Sequence, residues 1–176
     1  VNDFTGTVGS ITIENTDASS GDTRVSLFIG TNSTLTVDGD FTNEDRLRLD
    51  TGFSGEKGNL TVTGSFTNQG SGNVDVGGET LTSKGLLDIA DGDVSVSGGG
   101  LVETTSAGNL TINGNLTATS TGSVTVDGGL TVNGSGQLSL SSGTLTVRES
   151  FDNFGNFTSG SSEIIFDGDG SAQNEF

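Results

Sequence analysis

The 176-residue chain predicts an all-β protein, a single parallel β-solenoid domain over residues 1–176, right-handed, with three short strands in each coil of about 20 residues. Three observations support this. Apolar-polar-apolar triplets recur at a nearly even interval along the chain, and Gly, Asn, Ser or Asp fills the gaps between them. The composition, with 30 Gly and 29% hydrophobic residues, is too lean for a conventional globular core but sufficient for a narrow, stacked one.

The triplets are clearest in Leu110-Thr-Ile112, Leu116-Thr-Ala118, Val124-Thr-Val126, Leu130-Thr-Val132, Leu138-Ser-Leu140 and Leu145-Thr-Val147, which begin 6, 8, 6, 8 and 7 residues apart. Successive side chains of a strand point to opposite faces, so each triplet places two aliphatic groups on one side and a hydroxyl on the other. Toward the N-terminus the same spacing is weaker, through Phe4, Ile11, Ala18 and Val25, with a longer alternating segment from Val25 to Ile29. From Leu35 it runs through Phe41, Leu47, Phe53, Leu60, Phe66, Val74, Leu81, Leu87, Val94 and Leu101 to the central block. It then continues at Phe151, Phe157 and Ile164. No segment sustains the three-and-four spacing of a helix.

Corners such as Asp38-Gly39, Asn113-Gly114, Asp127-Gly128 and Asn133-Gly134 suit positive φ, which Gly adopts without steric cost. The same dipeptides favour hairpins, so an antiparallel meander is the rival architecture. Three-residue strands make poor hairpins, whereas stacking lets each one pair with the strand a coil above and below. Eight or nine coils at about 4.8 Å each would make a rod of roughly 40 Å.

Composition also limits function. The absence of Cys and His removes disulfides, the cysteine forms of zinc and iron-sulfur sites, and the commonest general base. A net charge of -17, from 23 acidic and 6 basic residues, would repel a phosphate backbone, so nucleic acid is not an expected partner. No apolar run approaches the roughly 18 to 20 residues that cross a bilayer, so membrane insertion is not expected either. The chain begins at Val1 and reads as a processed chain or an excised module.

The segments GNLTVTGSFTNQG (58–70), GNLTINGNLT (108–117) and FDNFGNFTSGSSEIIFDG (151–168) resemble the Gly/Asn/Thr-rich β-solenoids of bacterial surface proteins, adhesins and autotransporter-type passengers among them. The resemblance spans nearly the whole chain and lies in texture and spacing. It implies an extracellular or cell-surface protein with a structural or adhesive role. The Asn-Pro-Asn-Gly signature of two-partner-secretion haemagglutinins is absent, because the chain has no Pro.

Candidate sites are few. A sugar-cleaving β-helix would need paired carboxylates beside aromatic platforms, and Trp and Tyr are both absent, so no catalytic residue is expected and the chain is not read as an enzyme. Calcium is the one cofactor left open. Asp38 and Asp40 with Glu44 and Asp45, then Asp88, Asp91 and Asp93, then Asp167 and Asp169, form three acidic groups, none matching a known calcium loop. Solvated corners are the alternative. Thr61-x-Thr63, Thr80-x-Thr82, Thr117-x-Thr119 and Thr144-x-Thr146 resemble the rows of solenoid ice-binding proteins, but their uneven separations along the chain are not multiples of one coil. Thr is also favoured at any exposed strand position. Sequons at Asn32, Asn59, Asn109, Asn115, Asn133 and Asn156 mostly follow trivially from Asn preceding a Leu-Thr or Phe-Thr strand. Segments 42–45 and 54–58 are the expected longer loops, where an adhesin would recognise a glycan or host surface.

The remaining expectation concerns assembly. Phe151, Phe154, Phe157, Phe166 and Phe176 crowd one end, Phe4 and Phe28 lie near the other, and neither end shows a cap. If Val1 of one copy followed Phe176 of another, the spacing would continue through Ile164, Ala172, Phe4 and Ile11 in steps of 8, 8 and 7 residues. Identical copies stacked head to tail through Phe4, Ile11, Ile164, Phe166 and Phe176, as a homopolymer or tandem array, are therefore the expected partners.

Overall fold

The structure is a computed structural model and describes residues 5–14, 26–29, 33–49 and 58–168. Phe4, Ala18, Val25, Phe53, Asp169, Ala172 and Phe176 lie outside these residues. Strands succeed one another in threes. The first coil has β1 (Thr5–Val8), β2 (Ile11–Ile13) and β3 (Ser26–Phe28), and the second β4 (Ser33–Val37), β5 (Phe41–Asn43) and β6 (Arg46–Arg48). Next come β7 (Gly58–Val62), β8 (Phe66–Asn68) and β9 (Asn73–Gly77), then β10 (Thr80–Ser83), β11 (Leu87–Ile89) and β12 (Asp93–Val96). They are followed by β13 (Leu101–Thr104), β14 (Leu110–Ile112), β15 (Asn115–Ala118), β16 (Ser123–Val126), β17 (Leu130–Val132) and β18 (Gln137–Leu140). The last are β19 (Thr144–Val147), β20 (Phe151–Asn153), β21 (Asn156–Thr158) and β22 (Glu163–Phe166).

Every third strand joins the same sheet. The first sheet runs β1-β4-β7-β10-β13-β16-β19-β22, the second β2-β5-β8-β11-β14-β17-β20 and the third β3-β6-β9-β12-β15-β18-β21. All pairings are parallel, including β7 with β10, β8 with β11 and β9 with β12. The chain is a parallel β-solenoid and not a meander.

The coils are longer and less even than the triplet spacing predicts. Leu35, Leu60, Leu81, Val102, Val124, Leu145 and Ile164 are successive partners in the first sheet, with the widest interval between Leu35 and Leu60 and the narrowest between Leu145 and Ile164. The coil that pairs Val8 with Val37 is longer still. Strand length is held by the core, whereas corners tolerate insertion, so length varies mainly between strands. Among the described residues the largest sheet holds eight strands, and at about 4.8 Å per strand its edges lie roughly 34 Å apart.

The six central triplets all show the buried, half-buried, buried pattern that alternation requires. Their inward residues stack in columns. One column is Ile11, Phe41, Phe66, Leu87, Leu110, Leu130 and Phe151, in which the Phe41 and Phe66 rings stack at 5.2 Å and 16°. Each fully buried aliphatic or aromatic side chain contributes about 1.5–3 kcal/mol by leaving water. Leu101 departs from the expected pattern. Register with β10 pairs Leu81 with Val102, so Val102 is buried and Leu101 sits outward with Glu103. Where two apolar residues are adjacent, the alternation of the whole strand decides which one enters the core.

The corner glycines serve close approach more than positive φ. Gly39, Gly114, Gly128 and Gly134 do not adopt positive φ, which falls instead on Gly70, Gly77, Gly92, Gly98, Gly99 and Gly160, and on Ser106, Ala107 and Ser120. Gly39, Gly64, Gly85, Gly108 and Gly128 stack at one corner. A Cβ on Gly64 would sit 2.7 Å from the Gly39 carbonyl oxygen, and one on Gly85 or Gly128 would sit 2.8 Å from that of Gly64 or Gly108. The backbone donates across the same gap, from Gly64 N to Gly39 O at 3.1 Å and from Gly85 N to Gly64 O at 3.0 Å.

Candidate functional site

Register converts the outward strand positions into arrays. On the first sheet, Thr7, Thr36, Thr61, Thr82, Glu103, Thr125, Thr146 and Ile165 are successive partners, forming one outward column. Two positions earlier on each strand lies a second column, Thr34, Asn59, Thr80, Leu101, Ser123, Thr144 and Glu163. The columns are half-buried apart from exposed Thr7, Ile165 and Glu163, and they flank inward residues such as Leu60, Leu81 and Leu145. Strand geometry spaces neighbouring hydroxyls by about 4.8 Å across the sheet and about 6.6 Å along a strand.

This places the sequence-singled Thr pairs unequally. Thr80-x-Thr82 and Thr144-x-Thr146 lie on the first sheet with Thr61, whereas Thr63 falls in a corner and Thr117 on the third sheet, with Thr119 beyond its strand. Thr34-x-Thr36, which the sequence reading did not single out, belongs to the array. Uneven coils hid it: Thr36 and Thr61 lie further apart in the chain than Thr61 and Thr82, so no fixed period finds all three. Glu103 interrupts the column, and its Oε1 accepts the Thr82 hydroxyl at 2.7 Å.

Charged side chains also stand on the other faces and in the corners. The third sheet presents Arg48 beside Asp75, with Arg48 Nη2 3.6 Å from Asp75 Oδ2, and Asp93 beside Asn115, whose Nδ2 donates to Asp93 Oδ1 at 2.8 Å. On the second sheet Asp88 stands between Thr67 and Thr111, and burial raises its pKa above the ordinary 3.8. Arg148 contacts Asp127 and lies 4.0 Å from Asp167, while the Ala107 backbone N–H and the Arg148 guanidinium hold Asp127 below its ordinary range.

The acidic candidates are placed separately. Asp38 and Asp40 occupy the corner after β4, where Asp40 Oδ1 accepts Ser65 N at 2.8 Å. Asp88 lies within β11, Asp91 in the next corner with Oδ1 accepting Gly92 N at 2.8 Å, and Asp93 at the start of β12. Asp167 follows β22. Among the described residues no group of three or more carboxylates could hold a metal ion.

The expected loop at 42–45 is not one. Thr42 and Asn43 complete β5, and only Glu44 and Asp45 turn the corner before β6, because Asn43 is drawn inward as part of the strand's alternation. Of the loop at 54–58, only Gly58 is described, as the first residue of β7. At the C-terminal coil the Phe residues part company. Phe151 is buried, with Phe157 edge-on at 5.3 Å and Phe166 stacked at 6.2 Å, but Phe154 is 72% exposed. Ile11 and Ile164 are half-buried against the core, and Phe166 is 36% exposed.

Comparison with protein-family models, curated proteins and solved structures returns no match to this chain.

Proposed function

We propose that this chain is a structural protein of the extracellular space or cell surface, a rigid acidic β-solenoid rod whose copies stack or are joined head to tail into a fibre. The observation that supports it best is the unbroken parallel pairing of three sheets through every described coil. A parallel strand leaves the same slanted donor and acceptor pattern on its open edge that it uses toward its neighbour. An identical copy arriving coil on coil would therefore repeat the bonding already made between β19 and β22. Among the described residues no strand lies beyond β20, β21 and β22, where Phe157, Ile164 and Phe166 remain partly exposed. A head-to-tail contact between different surfaces of the same molecule propagates as a filament unless its rotation closes a ring. The Gly/Asn/Thr texture shared with bacterial surface solenoids supports the placement outside the cell.

The role is non-catalytic, and the net charge of -17 keeps the sides of such rods apart while the ends associate. Electron microscopy of native material and of the purified chain tests this. Filaments with an axial repeat near the stacked length are expected; discrete rods in both would overturn the fibre. Saturable binding to one glycan on an array would move the reading from scaffold to adhesin.

A further inference from the structure

We propose that the outer face of the first sheet binds the surface of ice, through its Thr columns. An outward Thr hydroxyl has fixed hydrogen-bonding needs. It carries one donor and two acceptor lone pairs, and on an exposed strand water satisfies them. When hydroxyls recur on a rigid sheet, the waters they hold recur at the same two spacings, about 4.8 Å between strands and about 6.6 Å along them. Ice presents rows of oxygen atoms with repeats close to those lengths. The methyl group beside each hydroxyl leaves the intervening water free to adopt ice-like order, because it offers no competing hydrogen bond.

The breadth of its array distinguishes this face, because the three-residue strands of the second sheet carry a single outward column, Thr42, Thr67, Asp88, Thr111, Thr131 and Asp152, whereas the first sheet carries two. The described positions of β4, β7 and β10 carry no charged side chain outward, in a chain whose net charge is -17. The inward side is a continuous aliphatic column, so the outward positions are held by core packing and backbone pairing. Thr also fills both outward positions of β4, β10 and β19, and one of them in β7 and β16. On the third sheet, by contrast, the outward positions mix Arg48, Asp75, Ser95 and Thr117 in one column.

The face is divided. Leu101 and Glu103 occupy the two outward positions of β13, and Glu103 draws the Thr82 hydroxyl to itself at 2.7 Å. A charged carboxylate orders water around itself in a geometry foreign to ice, so β13 separates the array on β4, β7 and β10 from that on β16 and β19. This division makes the inference testable by gain as well as by loss.

The experiment measures thermal hysteresis and ice recrystallisation with the purified chain and four variants, each checked for unchanged melting temperature. Thr36→Lys and Thr61→Lys place a charge within the larger array, Thr117→Lys places the same charge outward on the third sheet, and Leu101→Thr with Glu103→Thr joins the two arrays. Hysteresis is expected in the parent chain, reduced at least fivefold by either first-sheet lysine, unchanged by Thr117→Lys, and increased at least twofold by the joined array. Absence of activity in both the parent and the joined variant, or equal loss from Thr117→Lys, would overturn the proposal. The outcome is independent of filament formation, which the same samples report by microscopy.

Discussion

The Asn43 side-chain amide donates to Asn68 Oδ1 at 2.7 Å, joining two coils inside the core. Both residues are fully buried, and Asn68 Nδ2 in turn donates to the carbonyls of Gly72 at 3.0 Å and Asp91 at 2.9 Å. Around them the column is aliphatic, with Ile13 paired to Asn43 and Ile89 to Asn68. The pair ties a strand to the corner that follows, and Asn43 Oδ1 has no partner.

Asn68→Val takes away the nearest acceptor of the buried Asn43 amide, leaving it the Asp45 carbonyl at 3.5 Å, and removes the donor to the part-buried Asp91 carbonyl. Leaving buried polar groups unpaired costs about 1–3 kcal/mol each, so a loss of about 3 kcal/mol is expected. Asn43→Val leaves Asn68 Oδ1 without its donor but also removes an already unpaired oxygen, and it costs less. The double variant should therefore be more stable than the sum of the single losses predicts. Denaturant unfolding of all four proteins measures this coupling, and strict additivity would show that the pair does not act as a unit.

Gly85→Ala should destabilise by about 1–3 kcal/mol, because its Cβ would sit 2.8 Å from the Gly64 carbonyl oxygen and the two coils would have to separate. Gly134→Ala is the control, since nothing lies nearer than the Phe154 oxygen at 3.8 Å and its φ is not positive. There the change should be neutral within about 0.5 kcal/mol. Thermal melts of both variants check the pair of outcomes.

Two carboxylates should shift stability with pH in opposite senses. Burial raises the Asp88 pKa, so its contribution is fullest below the ordinary value of 3.8 and is lost as pH rises through the folded-state value. Asp88→Asn should therefore melt higher than the parent at pH 7 and lose that advantage below pH 3.8. Asp127 is held low by the Ala107 N–H and by Arg148, so its contribution is present above 3.8 and is lost as pH falls through its folded-state value. Asp127→Asn should melt lower than the parent at pH 7, with the gap closing in acid. Melting curves from pH 2 to pH 8 decide both.

Added salt should raise the melting temperature, because a net charge of -17 repels itself and ions screen that repulsion over about 10 Å at 0.1 M. Calcium chloride and sodium chloride at equal ionic strength should act alike, and chelator should change nothing. A calcium increment well above the sodium one would instead demand a bound ion at one of the acidic corners, and Asp38→Asn, Asp91→Asn and Asp167→Asn would locate it.

The sequence by itself determined the alternation. Each triplet from Leu110 to Val147 buries its outer two residues, because a strand side chain can face only one of two ways and an aliphatic pair leaves only one choice. Short strands separated by Gly-rich gaps likewise required stacking, since none could bury its face alone. Tertiary structure decided the register. Corner length does not affect how one strand alternates, so a coil as short as that from Leu145 to Ile164 and one as long as that from Val8 to Val37 are compatible with the same triplets. Only pairing shows that Thr36, Thr61 and Thr82 share a column. Pairing also turned Leu101 outward and drew Asn43 into the core. The corner glycines show the same division. Their abundance was evident in the chain, but their purpose, letting one coil's backbone lie directly on the next, depends on a distance between residues a whole coil apart in the chain.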